Sequence, residues 1–242
     1  MHEFANLAVW YLVFVFSTTC HEAAHAWVAY RGGDLTAYSL GHVTLDPTPH
    51  IKRSPFGMVV IPILSFLLPL LMGEGGHGWM IGWASVPVNR EWAAKHPGRS
   101  SVMSLAGPAA NLLLAALALV AMRLLVASDV LAASPLGSGF PLDSVVTAPD
   151  GQAVNSLVGA LARGLSVMLV LNVILGLFNL IPLPPLDGAG VLEGAAPRLT
   201  SGLYDRLREV PMFEILGLLV VWRFFPYVAW PALGFVIALL HL

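Results

Sequence analysis

Residues 4–30 read FANLAVWYLVFVFSTTCHEAAHAWVAY, an apolar run that is interrupted by the pattern His21-Glu22-Ala23-Ala24-His25. At 1.5 Å per residue, a helix over this run reaches roughly 40 Å, which is enough to cross a bilayer and protrude. An ionisable side chain at membrane depth costs about 2.5–3.5 kcal/mol on insertion scales, so Glu22 marks a functional site by default. The run therefore predicts a membrane span and a site inside it.

The composition of the whole chain is typical of a membrane protein. Of 242 residues, 57% are hydrophobic and 11% are charged, and the mean hydropathy is +0.78. A soluble domain is about 45–50% apolar and about 25% charged. The net charge of −2 without a basic stripe argues against a nucleic-acid partner, and the single Cys20 excludes an intrachain disulfide and a cysteine-based zinc cluster. We predict an all-α polytopic membrane protein.

Four further apolar segments complete the predicted organisation. Residues 102–126 and 155–181 are long enough to be full spans. Residues 56–72 are at the lower limit for crossing and contain two prolines, so they form either a short span or a re-entrant segment. Residues 213–240 contain an arginine and two prolines and form either one kinked span or two short ones. The sequence thus predicts about four to six transmembrane helices.

The polar segments between the spans predict orientation. Each of 31–55, 73–101 and 182–211 contains three Lys or Arg residues, whereas 128–152 contains none. The positive-inside rule places all three basic loops in the cytoplasm if 56–72 is re-entrant, and separates them if it crosses. We therefore favour a re-entrant segment, with the acidic loop and the N-terminus outside.

Two of the basic loops have strand-like composition. Residues 35–45 lie between turn-rich sequences and predict a short β-hairpin, and residues 79–88 predict a further strand. Both are expected near the cytoplasmic side. Either one is a candidate to receive an extended substrate segment by strand addition.

The H-E-x-x-H pattern is typical of a zinc site. On a helix, His21 and His25 lie four residues apart and share one face, where two imidazoles bind one Zn²⁺ at about 2.0–2.1 Å. Glu22 is rotated away from that face but is adjacent, so it reaches a zinc-bound water as general base. The alternative is that both histidines are structural hydrogen-bonding residues near the cytoplasmic end of the helix.

A catalytic zinc also needs a third protein ligand and an open position. Asp187 differs from the other acidic residues because it directly follows a long span, in Asn179-Leu180-Ile181-Pro182-Leu183-Pro184-Pro185-Leu186-Asp187-Gly188. The alternative is a surface turn, since Pro-Pro and Asp-Gly favour turns. The predicted topology favours Asp187 as a ligand. The first span and 155–181 run in the same direction, so the two histidines and Asp187 lie at the same depth in the membrane.

Three separated motifs follow one another along the chain: His21-Glu22-x-x-His25, then Gly107-Pro108-Ala109-Ala110-Asn111, then Asn179-x-x-Pro182 leading to Leu186-Asp187-Gly188. Together they resemble the motifs of site-2 proteases, the intramembrane zinc metalloproteases of family M50. The resemblance covers about residues 15–195 and is closest to the compact form without a PDZ or CBS domain.

Weaker similarity to that family extends through two loop segments. One is Gly41–Pro47 with His50, where Asp46 replaces the expected Asn. The other is Gly82–Asn89, which is one residue short and lacks a Lys. These departures affect loops and leave the expected zinc site unchanged.

The resemblance implies a single membrane-embedded protease domain over residues 1–242, with a core at about 4–195 and C-terminal hydrophobic segments at 213–240. It implies one Zn²⁺ per chain in an active site that faces the cytoplasm from within the bilayer. The implied zinc ligands are His21, His25 and Asp187, and the implied catalytic acid/base is Glu22.

Two asparagines in the matching motifs are further candidates. A buried Asn in a span must find polar partners, so Asn111 and Asn179 either hold a ligand imidazole, line a water path or bind substrate backbone, or simply join helices. Gly107 and Pro108 are expected to permit close packing and a kink rather than to do chemistry.

The expected activity is hydrolysis of peptide bonds in or near transmembrane segments, as in regulated intramembrane proteolysis. The expected partners are a transmembrane protein substrate and the lipid bilayer, and an Arg-rich, Lys-poor composition suggests a prokaryotic plasma membrane. Two other functions are weighed against it. A zinc transporter needs ligands strung along several spans, and a catalytically silent scaffold of the same family is expected to have lost Glu22 or a ligand.

Overall fold

The computed structural model describes residues 2–72, 79–135, 142–149 and 156–241. Parts of the predicted loops 73–101 and 128–152 therefore lie outside the described residues. The helices are α1 His2–Gly32, α2 Thr36–Ser39, α3 Pro47–Arg53, α4 Ile61–Leu71, α5 Arg90–Lys95, α6 Pro97–Ala127, α7 Leu157–Asn179, α8 Asp187–Ala195, α9 Pro197–Glu209, α10 Phe213–Phe224 and α11 Pro226–Ala238. A π-helical turn, Phe56–Val60, precedes α4, and a 3-10 turn, Leu239–His241, follows α11.

The predicted fold class, an all-α polytopic membrane protein, is confirmed. The helices α1, α6 and α7 are each long and apolar enough to cross a membrane. Two bent pairs raise the number of candidate spans from three to as many as five. These pairs are α3 with Phe56–Leu71, bent by 112°, and α10 with Pro226–His241, bent by 49°.

The two segments of ambiguous sequence each contain a break. Phe56–Leu71 is shorter than the roughly 20 residues that a span needs, and it turns sharply from α3, which agrees with a re-entrant segment. Residues 213–240 form two helices that meet at Phe225. Proline has no N–H and fixes its own φ, so Pro226 at the first turn of α11 starts a new helix.

The three long helices pack against one another, and α8 packs against α6. They enclose two large apolar cores, and a smaller cluster lies where α5 meets α1 and α6. One lies between α1, α4 and α7 and contains the fully buried Trp10, Phe14 and Phe66. The other lies between α6, α7 and α11 and contains Met122 and Leu169. Because α6 contacts α1, α7 and α8, it is the helix around which the others are arranged.

The predicted hairpin at 35–45 is wrong, because this segment forms α2 and turns. Asp34 accepts a hydrogen bond from the Thr36 N–H at 2.9 Å and another from the Asn89 N–H at 2.8 Å. Ala37 is fully buried, and its carbonyl accepts from the His42 N–H. Backbone N–H and C=O groups of this segment are thus hydrogen-bonded to one another and to the Asp34 side chain, so they do not require pairing with a second strand.

The predicted strand at 79–88 is also absent, although the segment is fully described. Two of its hydrogen bonds go to groups outside any sheet: the Ile81 N–H donates to Ser65 Oγ at 3.1 Å, and the Trp83 N–H donates to the Gly57 carbonyl at 3.1 Å. The segment lies against the π-helical turn instead of a neighbouring strand. A strand assignment requires such a neighbour, which composition alone does not supply.

A two-stranded antiparallel sheet occurs at the opposite end of the helices, in the predicted acidic loop 128–152. It pairs β1, Ala132–Ala133, with β2, Val146–Thr147. Val146 is buried against the core of α6 and α7. Its small size explains why composition did not reveal it.

Glycines set the distance between α6 and α8. A Cβ on Gly194 would lie 2.3 Å from the Pro97 carbonyl oxygen, and one on Gly190 would lie 2.4 Å from Ser104 Oγ. The Ser101 hydroxyl donates to the Val191 carbonyl across the same contact. Small residues allow such backbone approach in membrane helices.

We predict that Gly194→Ala destabilises the protein, because its methyl group would strike backbone. Overpacking of this kind costs about 1–3 kcal/mol. The control is Gly164→Ala in α7, where nothing lies within 4 Å and alanine favours helix. Thermal unfolding in detergent should give a lower midpoint for Gly194→Ala alone, and equal midpoints for both variants would contradict the packing described here.

Candidate metal centre

The two histidines of the H-E-x-x-H pattern lie one helical turn apart on α1 and point to a common position. His21 and His25 are both buried, and their Nε2 atoms are 3.0 Å apart. The rings meet edge to face with centroids separated by 4.6 Å. The spacing of four residues on a helix explains this arrangement.

The third side chain comes from the start of α8. Asp187 Oδ2 lies 3.0 Å from His21 Nε2 and 3.3 Å from His25 Nε2. The chain turns back tightly here, because a Cβ on Gly188 would lie 2.3 Å from the Leu180 carbonyl oxygen. The structure therefore brings together the three residues predicted as zinc ligands, from positions more than 160 residues apart in sequence.

The three atoms suit a metal ion. In a tetrahedral site with bonds of about 2.0–2.1 Å, ligand atoms lie about 3.3–3.4 Å apart, close to the separations observed. Asp187 Oδ2 is buried and makes no hydrogen bond of good geometry despite its two close neighbours. A buried carboxylate oxygen that faces two imidazole nitrogens without a well-formed hydrogen bond is explained by a cation between them.

Charge supports the same interpretation. Burial alone would raise the pKa of Asp187, but when His25 and His21 are protonated, their positive charge and hydrogen bonds lower it further than burial raises it. A metal ion between neutral imidazoles supplies positive charge at the same point, so in either state the side chain is a carboxylate. Only the deprotonated form binds a metal.

A backbone carbonyl orients one of the imidazoles. His25 Nδ1 lies 2.7 Å from the Met103 carbonyl oxygen, which only accepts hydrogen bonds. The proton of the neutral ring is therefore on Nδ1, and Nε2 presents its lone pair to the site. A hydrogen bond from the other ring nitrogen is the usual support of a metal-binding histidine.

Gly107 on α6 leaves the space that an ion requires. A Cβ at this position would lie 2.3 Å from His25 Nε2 and 2.5 Å from His21 Nε2. A methyl group would thus occupy the region where the three ligand atoms converge. The sequence predicted close packing at Gly107, and the structure shows that the packing partners are the imidazoles themselves.

The profile of peptidase family M50 matches residues 9–221, which is most of the chain. The chain belongs to peptidase family M50. The predicted resemblance is confirmed. A Bacillus subtilis relative named "Putative zinc metalloprotease YwhC" is 33% identical over 226 residues, which are 92% of this chain and 84% of that protein.

Mycobacterial relatives named "Putative zinc metalloprotease Rip2" also match this M50 protein. The Mycobacterium tuberculosis protein is 30% identical over 85% of this chain, and the Mycolicibacterium smegmatis protein is 31% identical over 73%. The matches span 62% and 53% of the lengths of those two relatives. No solved structure matches the chain. The protein is thus a multi-pass membrane member of a zinc metalloprotease family.

The fold of this M50 protein places the two predicted asparagines in different surroundings. Asn111 is fully buried, and its Oδ1 lies 2.6 Å from His21 Nδ1, which places it beside a ligand imidazole. Asn179 is half-buried and donates to the Leu175 carbonyl of its own helix at 2.9 Å. Among the described hydrogen bonds, Asn179 has none that leads to the three ligands.

Glu22 is buried on α1 between the two ligands in sequence, with 5% of its surface exposed. Its predicted role as general base remains a prediction. Burial of an acidic side chain beside two imidazoles is consistent with that role, because a carboxylate with no function at this depth would be costly.

Sequence reasoning missed two residues that the fold adds behind the histidines. Asn172 on α7 and Ser17 on α1 are both fully buried. The Asn111 amide donates to Asn172 Oδ1 at 2.7 Å, and the Asn172 amide donates to Ser17 Oγ at 2.8 Å. A signal was present, since Ser17 precedes His21 by one helical turn and Asn172 interrupts an apolar span.

We predict that Gly107→Ala abolishes zinc binding while the fold persists, because the methyl group would occupy the region where the ligands converge. The control is Gly98→Ala on the same helix, where nothing lies within 4 Å. Elemental analysis of purified protein should find about one zinc per chain in the wild type and the control. Equal zinc in Gly107→Ala would contradict this description of the site.

Proposed function

We propose that this M50 protein is an intramembrane zinc protease of the site-2 type, which hydrolyses peptide bonds in or near transmembrane segments of other membrane proteins. One observation carries the proposal: His21 Nε2, His25 Nε2 and Asp187 Oδ2 converge within 4.8 Å of one another among apolar helices. Two of these residues lie within the candidate span α1. The names of the relatives support zinc and proteolysis.

We assign His21, His25 and Asp187 as zinc ligands and Glu22 as the catalytic acid/base. A zinc ion held by these residues would supply a Lewis acid toward the scissile carbonyl and would favour deprotonation of water near neutral pH. The Glu22 carboxylate accepts the proton of the attacking water and later donates it to the departing amine. The fixed imidazoles keep the ligand atoms in position throughout.

Because the site lies among apolar helices, both water and an unwound segment of the substrate must be able to reach it. A substrate helix has its carbonyls hydrogen-bonded internally, so the segment to be cut must first be unwound. We place the site toward the cytoplasm of a prokaryotic plasma membrane, since the basic loops lie at the ends of the helices that carry the ligands.

The extended segment 79–88 is the better of the two proposed substrate-binding segments, because 35–45 is helical in part. Along 80–85, buried or half-buried residues alternate with exposed ones, and the exposed side chains are Ile81, Trp83 and Ser85. One side of this segment contacts the π-helical turn and α4 through the Ile81 and Trp83 N–H groups. Its other side suits strand addition by an extended peptide.

The two alternative functions predict different behaviour. A transporter needs ligands along a pathway, whereas the described residues contain one group of three or more potential ligands, at this site. A silent scaffold would bind zinc without hydrolysis. Retention of Glu22 beside the ligands favours the enzyme over the scaffold.

We predict that Glu22→Gln lowers cleavage of a transmembrane substrate by at least about 10²-fold with zinc retained, because the amide does not accept the proton. The assay uses purified protein in liposomes with zinc quantified in the same preparation. The control is Glu91→Gln in α5, since Glu91 is exposed and pairs with Lys95.

Bound zinc without Glu22-dependent cleavage would contradict the protease and favour the scaffold. Zinc movement across the liposome membrane without cleavage would favour the transporter instead.

We also predict that Ala84→Pro lowers cleavage at least about tenfold without loss of zinc, because proline removes a backbone donor from segment 79–88. Ala84→Val retains the N–H and serves as the matched control. Cleavage by Ala84→Pro at the wild-type rate would contradict strand addition at this segment while leaving the zinc site intact.

A further inference from the structure

We propose that Asn172 is a positioning residue for zinc binding, which acts on His21 through Asn111 and sets which nitrogen of the imidazole faces the metal. The inference rests on the proposed zinc site. It concerns a residue on α7, a long helix that supplies no ligand itself.

A continuous line of hydrogen bonds joins Asn172 to His21. His21 Nδ1 lies 2.6 Å from Asn111 Oδ1, and the Asn111 amide nitrogen donates to Asn172 Oδ1 at 2.7 Å. The Asn172 amide nitrogen donates to the Met168 carbonyl at 2.8 Å and to Ser17 Oγ at 2.8 Å. Asn111, Asn172 and Ser17 have no exposed surface, so water does not substitute for any of these bonds.

The Met168 carbonyl determines how the side-chain amides of Asn172 and Asn111 are oriented. A carbonyl only accepts, so the Asn172 amide nitrogen must face it, and the Asn172 oxygen must then face Asn111. The Asn111 nitrogen turns toward that oxygen, which leaves the Asn111 oxygen facing His21. An oxygen acceptor at His21 Nδ1 requires the proton there, and Nε2 is left with its lone pair toward Asp187.

A second carbonyl supports the same orientation. The Asn111 amide nitrogen also lies 3.5 Å from the Ser17 carbonyl oxygen. If Asn111 turned over, its nitrogen would face His21 Nδ1, and the proton of the ring would move to Nε2, where the metal has to bind. His25 needs no such line, because the Met103 carbonyl contacts its Nδ1 directly.

The test compares zinc affinity by chelator competition in wild type, Asn172→Leu and Asn179→Leu. Asn172→Leu is expected to weaken zinc binding by about 10–100-fold, as loss of a partner behind a metal ligand does. Asn179→Leu is the matched control, since it makes the same change on the same helix, and the hydrogen bond that the Asn179 amide makes among the described residues goes to the Leu175 carbonyl of its own helix. The visible spectrum of the Co²⁺-loaded protein should shift in Asn172→Leu alone.

Two further variants separate positioning from a structural role. The nearly isosteric Asn172→Asp, which burial keeps as the neutral acid, donates its O–H to the Met168 carbonyl and keeps an oxygen toward Asn111. It is expected to bind zinc within about fivefold of wild type, and it replaces Asn172→Leu if that variant does not fold. In an Asn111→Leu background, Asn172→Leu should weaken zinc binding no further, because its effect passes through Asn111.

Wild-type zinc affinity and an unchanged Co²⁺ spectrum in Asn172→Leu would overturn the proposal. So would an equal loss in Asn172→Asp, or additive losses in the double variant. Neither measurement uses a substrate, so a failure of the positioning role is distinguishable from a failure of proteolysis, which the Glu22→Gln assay reports.

Discussion

A methyl group at position 107 would lie 2.3 Å from His25 Nε2, so α6 approaches α1 as closely as a glycine backbone allows. This approach brings Met103 and Asn111, one turn on either side of Gly107, to the Nδ1 atoms of the two histidines. The same helix face contacts both imidazoles and leaves the region between them open. The orientation of two ligands and the space for an ion therefore depend on one helix contact.

The other face of α6 positions the remaining ligand. Gly190 and Gly194 let α8 lie against α6, and Asp187 is the first residue of α8. Because one helix contacts both halves of the site, a shift of α6 would move the histidines and the carboxylate relative to each other. Small residues at these contacts are expected in a membrane, where close van der Waals packing joins helices.

Buried polar groups around the site form a connected set. Each Nδ1 has an oxygen partner, and the two asparagines satisfy each other and two backbone carbonyls. In an apolar surrounding, an unsatisfied polar group is costly, so such a set either is complete or destabilises the protein. Among the three ligand atoms that converge, Asp187 Oδ2 lacks a well-formed hydrogen bond, and a cation accounts for it.

The sequence by itself determined the membrane class, the long spans, the two histidines on one helix face and the candidate ligand Asp187. These follow from hydropathy, from the helical repeat and from motif spacing, which are local properties of the chain. The strands predicted at 35–45 and 79–88 did not form, because a strand depends on a neighbour that local composition does not specify. Only the tertiary structure showed that Asn172 reaches His21 through Asn111 and that Asn179 bonds within its own helix, since contacts between distant segments depend on how the helices pack.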